Sequence, residues 1–166
     1  IRKGLPLPPL LLGGGQEAGY RSGTEAMPAI VGFGAACQAA RASLTADLAR
    51  ECALRDQICQ ALAAMQGVAL LGAHDAPHII TASIPGVPTQ NTINLLQDRG
   101  VCVSAGSACA KGHRSHVLQA MGLSPEIIDG AFRISLSRLT TQEEADWLLQ
   151  SIGEVLAWKN RGKSPG

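Results

Sequence analysis

The chain has 166 residues, a formal net charge of +1 and 16% charged side chains. So even a charge balance excludes a broad electrostatic grip on nucleic acid or an anionic membrane. Aromatic residues make up 3%, too few for base-stacking platforms, and an apolar share of 46% excludes disorder over most of the length.

Residues 1–25 read as extended and looped. The apolar run from Leu5 to Leu12 is interrupted by Pro6, Pro8 and Pro9 and is too short to span a bilayer. The first residue is Ile1 rather than Met, which reads as a chain whose upstream part lies elsewhere. Gly13-Gly14-Gly15 and then Arg21-Ser22-Gly23-Thr24-Glu25 form polar, conformationally free segments leading to a helix near Met27-Pro28. From about Ala29 to Met65 the apolar positions Ile30, Phe33, Cys37, Leu44, Leu48, Cys52, Cys59 and Leu62 recur at helical separations. Gly67 ends that helix.

The rhythm then changes. Val68–Leu71 and Ile79–Ile84 read as strands, the second stopped by Pro85-Gly86. Thr89–Arg99 reads as a helix broken at Gly100, and Val101–Ser104 as a strand. Ala105–Gly112 is a loop of small residues. Ser115 caps a helix to Met121, Phe132–Leu136 is a strand, and Thr141 with Glu144 has capping-box spacing at the head of a helix reaching Trp158. The tail, 159–166, is polar. The alternation after residue 65 predicts a small α+β lobe with a partly antiparallel sheet, and residues 1–25 read as the closing edge of another lobe.

Five cysteines (Cys37, Cys52, Cys59, Cys102, Cys109) are odd in number and irregularly spaced, so no disulfide framework is expected and a reducing, cytoplasmic compartment fits. Cys109 stands out, in Ser104-Ala105-Gly106-Ser107-Ala108-Cys109-Ala110-Lys111-Gly112. A thiolate nucleophile needs access, small neighbours and a nearby cation, and Lys111, His113 and His116 are candidate cations. The same spacing also suits an inert cysteine in a tight turn.

Arg133 is the second candidate. Alternation in a half-buried strand puts Phe132, Ile134 and Leu136 on one side and Arg133, Ser135 and Ser137 on the other. An arginine so placed can hold a carboxylate through two parallel hydrogen bonds, or it can simply be solvated. Arg138 competes for the role and is expected to point elsewhere. The glycine triplet with Arg21, Ser22 and Thr24 could cradle a phosphate, although no Walker loop or GxGxxG fingerprint is present. Cys102, Cys109, His113 and His116 lack the short C-x2–4-C pair of structural zinc sites. Cys102 is expected to pack in the core, as are Cys37, Cys52 and Cys59 on the helical stripe. His74 and His78 are expected at the surface.

Taken together, GGGQEAGYRSGTEAMPAIVGFG, SIPGV, VSAGSACAKGHRSHVLQAMGL and FRISLSRLTTQEEAD resemble the C-terminal half of cysteine desulfurases, pyridoxal-phosphate (PLP) enzymes of the class V aminotransferase superfamily. The four blocks match in order and spacing over nearly the whole chain to Trp158. The resemblance implies the α/β architecture of a fold-type-I PLP-dependent transferase. Residues 1–28 would be the closing edge of the large domain, 29–65 a connecting helix, 66–158 the small α+β domain and 159–166 a tail. It implies conversion of L-cysteine to L-alanine, with the sulfur left as a persulfide on Cys109 and passed to an acceptor protein. Arg133 would bind the substrate carboxylate, and Thr24 the PLP phosphate of the partner subunit in a homodimer. No metal, nucleic acid or membrane partner is implied. The lysine that links the cofactor in the family lies upstream of the glycine block, and Lys3 is not its counterpart. The 166-residue chain alone is therefore expected to be inactive. Ser137 replaces a usual glycine, and the stretch from Cys109 to Ser115 is shorter than in long-loop members. The alternative reading is a non-catalytic sulfur-relay or dimerisation module derived from the same fold.

Overall fold

The computed structural model describes residues 2, 4–73, 75–105 and 114–161. It divides into two units, Ile1–Leu44 and Thr45–Gly166. In the first, a short 3-10 turn (Gln16–Gly19) is followed by the start of helix α1, Met27–Ala64. Pro28 falls in the first turn of α1, where its missing N–H costs no helical hydrogen bond.

The second unit carries the end of α1 and a four-stranded sheet with strand order β1-β2-β4-β3. The strands are β1 (Ala69–Leu70), β2 (Ile79–Ser83), β3 (Ser104–Ala105) and β4 (Ala131–Ser135). Every pairing is antiparallel, where sequence analysis expected antiparallel only in part. The helices are α2 (Thr89–Gln97), α3 (His116–Ala120), α4 (Pro125–Asp129) and α5 (Gln142–Arg161).

Helix ends follow local chemistry. Gly100, at φ +77°, lets the Val101 N–H return to the Leu96 carbonyl and closes α2. The Ser115 hydroxyl accepts from the Leu118 N–H and starts α3. Thr141 and Glu144 form the expected reciprocal box. The Glu144 N–H donates to Thr141 Oγ1 at 3.2 Å, and the Thr141 N–H donates to Glu144 Oε2 at 2.9 Å. Helix α4 is an addition that sequence analysis left as connection. Ser124 caps it through the Ile127 N–H, and Pro125 occupies its first turn.

One face of the sheet is the main core. Ile80, Ala82, Ile84, Phe132, Ile134 and Leu136 pack there with Leu54, Ile58 and Leu62 of α1, Leu96 of α2, and Ala145, Leu148, Ile152 and Val155 of α5. Each fully buried aliphatic side chain contributes about 1.5–3 kcal/mol, so this face dominates the packing. A smaller cluster, Leu71, Leu118, Ile128 and Ala131, packs on the opposite side. It covers that side only in part, and Thr81, Ser104 and Arg133 lie outside both clusters.

The α1 stripe needs correction. Its buried residues are Leu54, Ile58 and Leu62, whereas Ile30, Phe33, Leu44, Leu48 and Cys37 are exposed. Cys59 is half-buried and packs at the margin of the core. Successive helical residues point about 100° apart, so Ile58 takes the core-facing position and Cys59 the flank. Cys102 is also exposed, contrary to the expected core packing. Only Ser104–Ala105 pair as strand β3, and it is Val101 and Val103 that pack against the core, leaving Cys102 on the outer side between them.

Candidate functional site

Strand β4 behaves as its alternation requires. Phe132, Ile134 and Leu136 are buried, Arg133 is half-buried, and Ser135 and Ser137 are exposed. Direct register places Thr81 of β2 and Ser104 of β3 opposite Arg133. Side chains opposite each other in a sheet share a face, so Thr81, Arg133 and Ser104 form one polar row across three strands. Arg133 Nε is buried and has no hydrogen-bond partner among the described residues. A buried guanidinium N–H without an acceptor is costly unless something fills the place, and a carboxylate is the acceptor that suits it. Arg138 lies beyond the strand, exposed in the turn where the Ser137 N–H bonds Thr140 Oγ1.

Cys109, with Lys111 and His113, lies outside the described residues, and so does His74. The chain on either side is well fixed. Upstream, Ser104 and Ala105 pair with Arg133 and Phe132. Downstream, Arg114 donates from Nε and Nη2 to the two oxygens of Asp129, each at 2.7 Å. That bond holds the Asp129 carboxyl below the usual aspartate range and the guanidinium above its own. The next residue, Ser115, is buried as the cap of α3. His116 and His78 are exposed.

In the first unit the glycine triplet and the Arg21–Thr24 loop are bonded to each other. Ser22 Oγ donates to the Gly14 carbonyl at 2.7 Å, and the Gly23 N–H donates to Gln16 Oε1 at 3.3 Å. Arg21 folds back, donating to the carbonyls of Gly23 and Thr24. Thr24 is exposed, and its hydroxyl has no hydrogen-bond partner among the described residues. The loop thus presents a hydroxyl beside a guanidinium, a donor set that fits the phosphate end of PLP. The only lysine among the described residues is Lys159 at the end of α5, on the helix-covered side of the sheet away from Arg133.

A cavity of about 300 Å³ opens where residues 100–103 part from Ile134–Leu136, with Trp147 and Leu148 as further wall. It does not include Arg133. The one carboxylate in its wall, Glu144, is already engaged by the Thr141 N–H. Beside it, sequence analysis missed a partly exposed network joining the end of α2 to α5. Arg99 lies 4.8 Å over the Trp147 ring, donates to buried Ser151 Oγ at 3.1 Å, and pairs with Glu154. No periodicity announces such a residue, because Arg99 stands just past the last turn of α2.

The Aminotransferase class-V family model matches residues 6–148. The chain belongs to this family. Its relatives include "Cysteine desulfurase 2" of Trichormus variabilis, 39% identical over 161 residues, covering 94% of this chain and 40% of that protein. "Cysteine desulfurase IscS" of Methanosarcina thermophila is 36% identical over 170 residues, covering 99% of this chain and 42% of the relative. The chain thus spans about two fifths of the length of the curated relatives it matches. A solved NifS-like protein superposes with a TM-score of 0.82 at 36% identity, covering 95% of this chain and 41% of that one. A NifS-like protein from Rickettsia africae gives 0.79 at 28% identity, covering 92% of this chain and 41% of that structure. The mixed α/β architecture of a fold-type-I PLP enzyme expected from sequence is therefore borne out. No helix among the described residues is long and apolar enough to cross a membrane.

Proposed function

We propose that this chain supplies the thiol nucleophile and the substrate-carboxylate arginine of a PLP-dependent cysteine desulfurase. The observation that carries the reading is the buried Nε of Arg133 on the polar side of β4, which has no partner among the described residues. Directly opposite stands Ser104, from which the chain runs on to Cys109. Cys109 lies four positions after Ala105, so covalent geometry limits their Cα separation to about 14 Å. Arg133 and the thiol of Cys109 can therefore serve one substrate.

In this reading Arg133 holds the α-carboxylate of L-cysteine. The Cys109 thiolate attacks the substrate sulfur: the S–S bond forms as the substrate C–S bond breaks, giving L-alanine and an enzyme persulfide. The terminal sulfur then passes to an acceptor protein. Bound PLP supplies the electron sink for the C–S cleavage. Thr24 would hold its phosphate in the partner subunit of a homodimer, with residues 1–28 as the edge of the large domain and 66–158 as the small one. Unpaired Cys37, Cys52, Cys59 and Cys102 suit a reducing cytoplasm.

The test uses the complete gene product loaded with PLP. Cys109→Ser should abolish persulfide formation, read by mass spectrometry after alkylation, while the cofactor absorbance stays. Arg133→Ala should weaken cysteine binding by about 2–5 kcal/mol, the cost of breaking a buried charged pair. Sulfur transfer persisting in the Cys109→Ser variant would refute the role of the thiol.

A further inference from the structure

Strand pairing fixes more than the place of Arg133. The Leu71 N–H donates to the Thr81 carbonyl at 2.9 Å, so the backbone groups of Thr81 point to β1. On the β2–β4 side ladder bonds join the pairs three positions to either side, Ile84 N–H to the Gly130 carbonyl and Leu136 N–H to the His78 carbonyl, and bonded pairs alternate with unbonded ones. Thr81 and Arg133 are therefore a non-hydrogen-bonded pair, the closer of the two antiparallel kinds, with Cα atoms about 4.5 Å apart rather than about 5.5 Å. On its other side Arg133 faces Ser104 across the wider spacing, and Ser104 is exposed. The next hydroxyl along β2 on this face, Ser83, is spent: it donates to the Ile127 carbonyl at 2.7 Å. Thr81 is half-buried, and its hydroxyl has no partner among the described residues. Beside the unsatisfied guanidinium N–H, the row thus holds one sheltered, uncommitted hydroxyl.

We propose that Thr81 is a specificity-determining residue: its hydroxyl, held against Arg133 in a close cross-strand pair, donates to the same ligand carboxylate that Arg133 binds. This rests on the carboxylate role proposed for Arg133 and extends it to a second contact. Two donors from adjacent strands fix the plane of the carboxylate, where the arginine alone leaves it free to swing. The site then favours an amino acid with a free α-carboxylate over its amide, since an amide offers only one acceptor oxygen to the two donors.

The experiment measures calorimetric dissociation constants of L-alanine and L-alaninamide for the PLP-loaded complete protein. Thr81→Val keeps the β-branched shape and removes the hydroxyl. It should weaken L-alanine about 10-fold, as for a lost hydrogen bond to a charged group, and leave L-alaninamide within about 2-fold. Thr81→Ser should restore the L-alanine affinity. In an Arg133→Ala background, Thr81→Val should have no further effect. Unchanged L-alanine affinity in Thr81→Val, or equal losses for both ligands, overturns the inference, provided Arg133→Ala alone weakens L-alanine. If Arg133→Ala also leaves L-alanine unchanged, the carboxylate reading of Arg133 itself falls.

Discussion

Gly130 joins α4 to β4 three residues before Arg133, and replacing it with alanine should destabilise the second unit. Its backbone, at φ −98° and ψ 3°, is open to any residue, so the penalty is steric. A Cβ there would lie 2.5 Å from the Ile84 carbonyl oxygen and 2.9 Å from Ser83 Oγ. Neither neighbour can yield cheaply. Ile84 is held by its N–H bond to the Gly130 carbonyl, and Ser83 is fully buried with its hydroxyl on the Ile127 carbonyl. Overpacking costs about 1–3 kcal/mol, and breaking the buried Ser83 bond about 1–3 more. The stiffer unfolded chain returns about 0.4–1 kcal/mol. The expected net loss is about 1–5 kcal/mol, or roughly 2–20 °C in thermal midpoint for a chain of this length. Far-UV circular dichroism melts and urea titrations with an unchanged slope would register it. Gly153→Ala is the matched control. That glycine lies inside α5, and a methyl group added there would meet nothing within 4 Å, so alanine should stabilise by about 0.5–1 kcal/mol. A Gly130→Ala protein melting within a degree of the parent, or both variants moving in the same direction, would refute the packing argument.

Three further outcomes follow from local chemistry. Asp129 titrates below the ordinary aspartate value near ~4 because Arg114 bonds its charged form. A depressed folded pKa means the ion pair stabilises above that value and is lost as pH falls through the folded pKa. The gap in urea midpoint between the parent and Asp129→Asn should therefore be present at neutral pH and close only in acid below the ordinary carboxylate range; a gap independent of pH would contradict this. Thr141→Ala removes one half of the α5 capping box and should cost about 1 kcal/mol in urea unfolding, whereas a neutral result would mean that water replaces the cap at no cost. Burial pushes the Cys59 thiol up despite nearby Arg55, so iodoacetamide at mild alkaline pH should label exposed Cys37 and Cys102 well before Cys59; labelling in the reverse order would contradict it.

Local rules reached most of the elements because each was marked by short-range chemistry. Gly100 closes α2, Ser115 opens α3, and the Thr141–Glu144 box opens α5. Helix α4 carried the same kind of mark in Ser124-Pro125, but its five residues are too few for a periodic apolar pattern to draw attention. What periodicity could not settle was which apolar stripe finds a partner. Cys52 and Cys59 fit the helical repeat as well as Leu54, Ile58 and Leu62 do, and only the position of the sheet chooses between them. Strand β3 shows the same limit. Val101–Ser104 alternates like a strand, yet among the described residues pairing starts only at Ser104.

The site divides along the same line. Arg133 could be placed on the polar face of its strand from alternation alone, because β4 is central and its other face is fully buried. Thr81 could not be found that way, since its relation to Arg133 exists only through register between strands some fifty residues apart in sequence. The sheet is also asymmetric in a way that bears on chemistry. Three helices, α1, α2 and α5, cover the face of Phe132, Ile134 and Leu136 with aliphatic side chains, whereas among the described residues the face of Arg133 has only the small Leu71–Leu118–Ile128–Ala131 cluster. A half-covered face keeps a guanidinium partly desolvated, which strengthens its bond to a carboxylate, and still leaves an approach for the ligand. Full covering by a second aliphatic layer would make an unpaired Arg133 prohibitively costly, and full exposure would reduce its carboxylate bond to that of an ordinary surface pair. In the carboxylate role proposed for Arg133, the partial cover among the described residues would let one arginine be both stable without a ligand and selective for one.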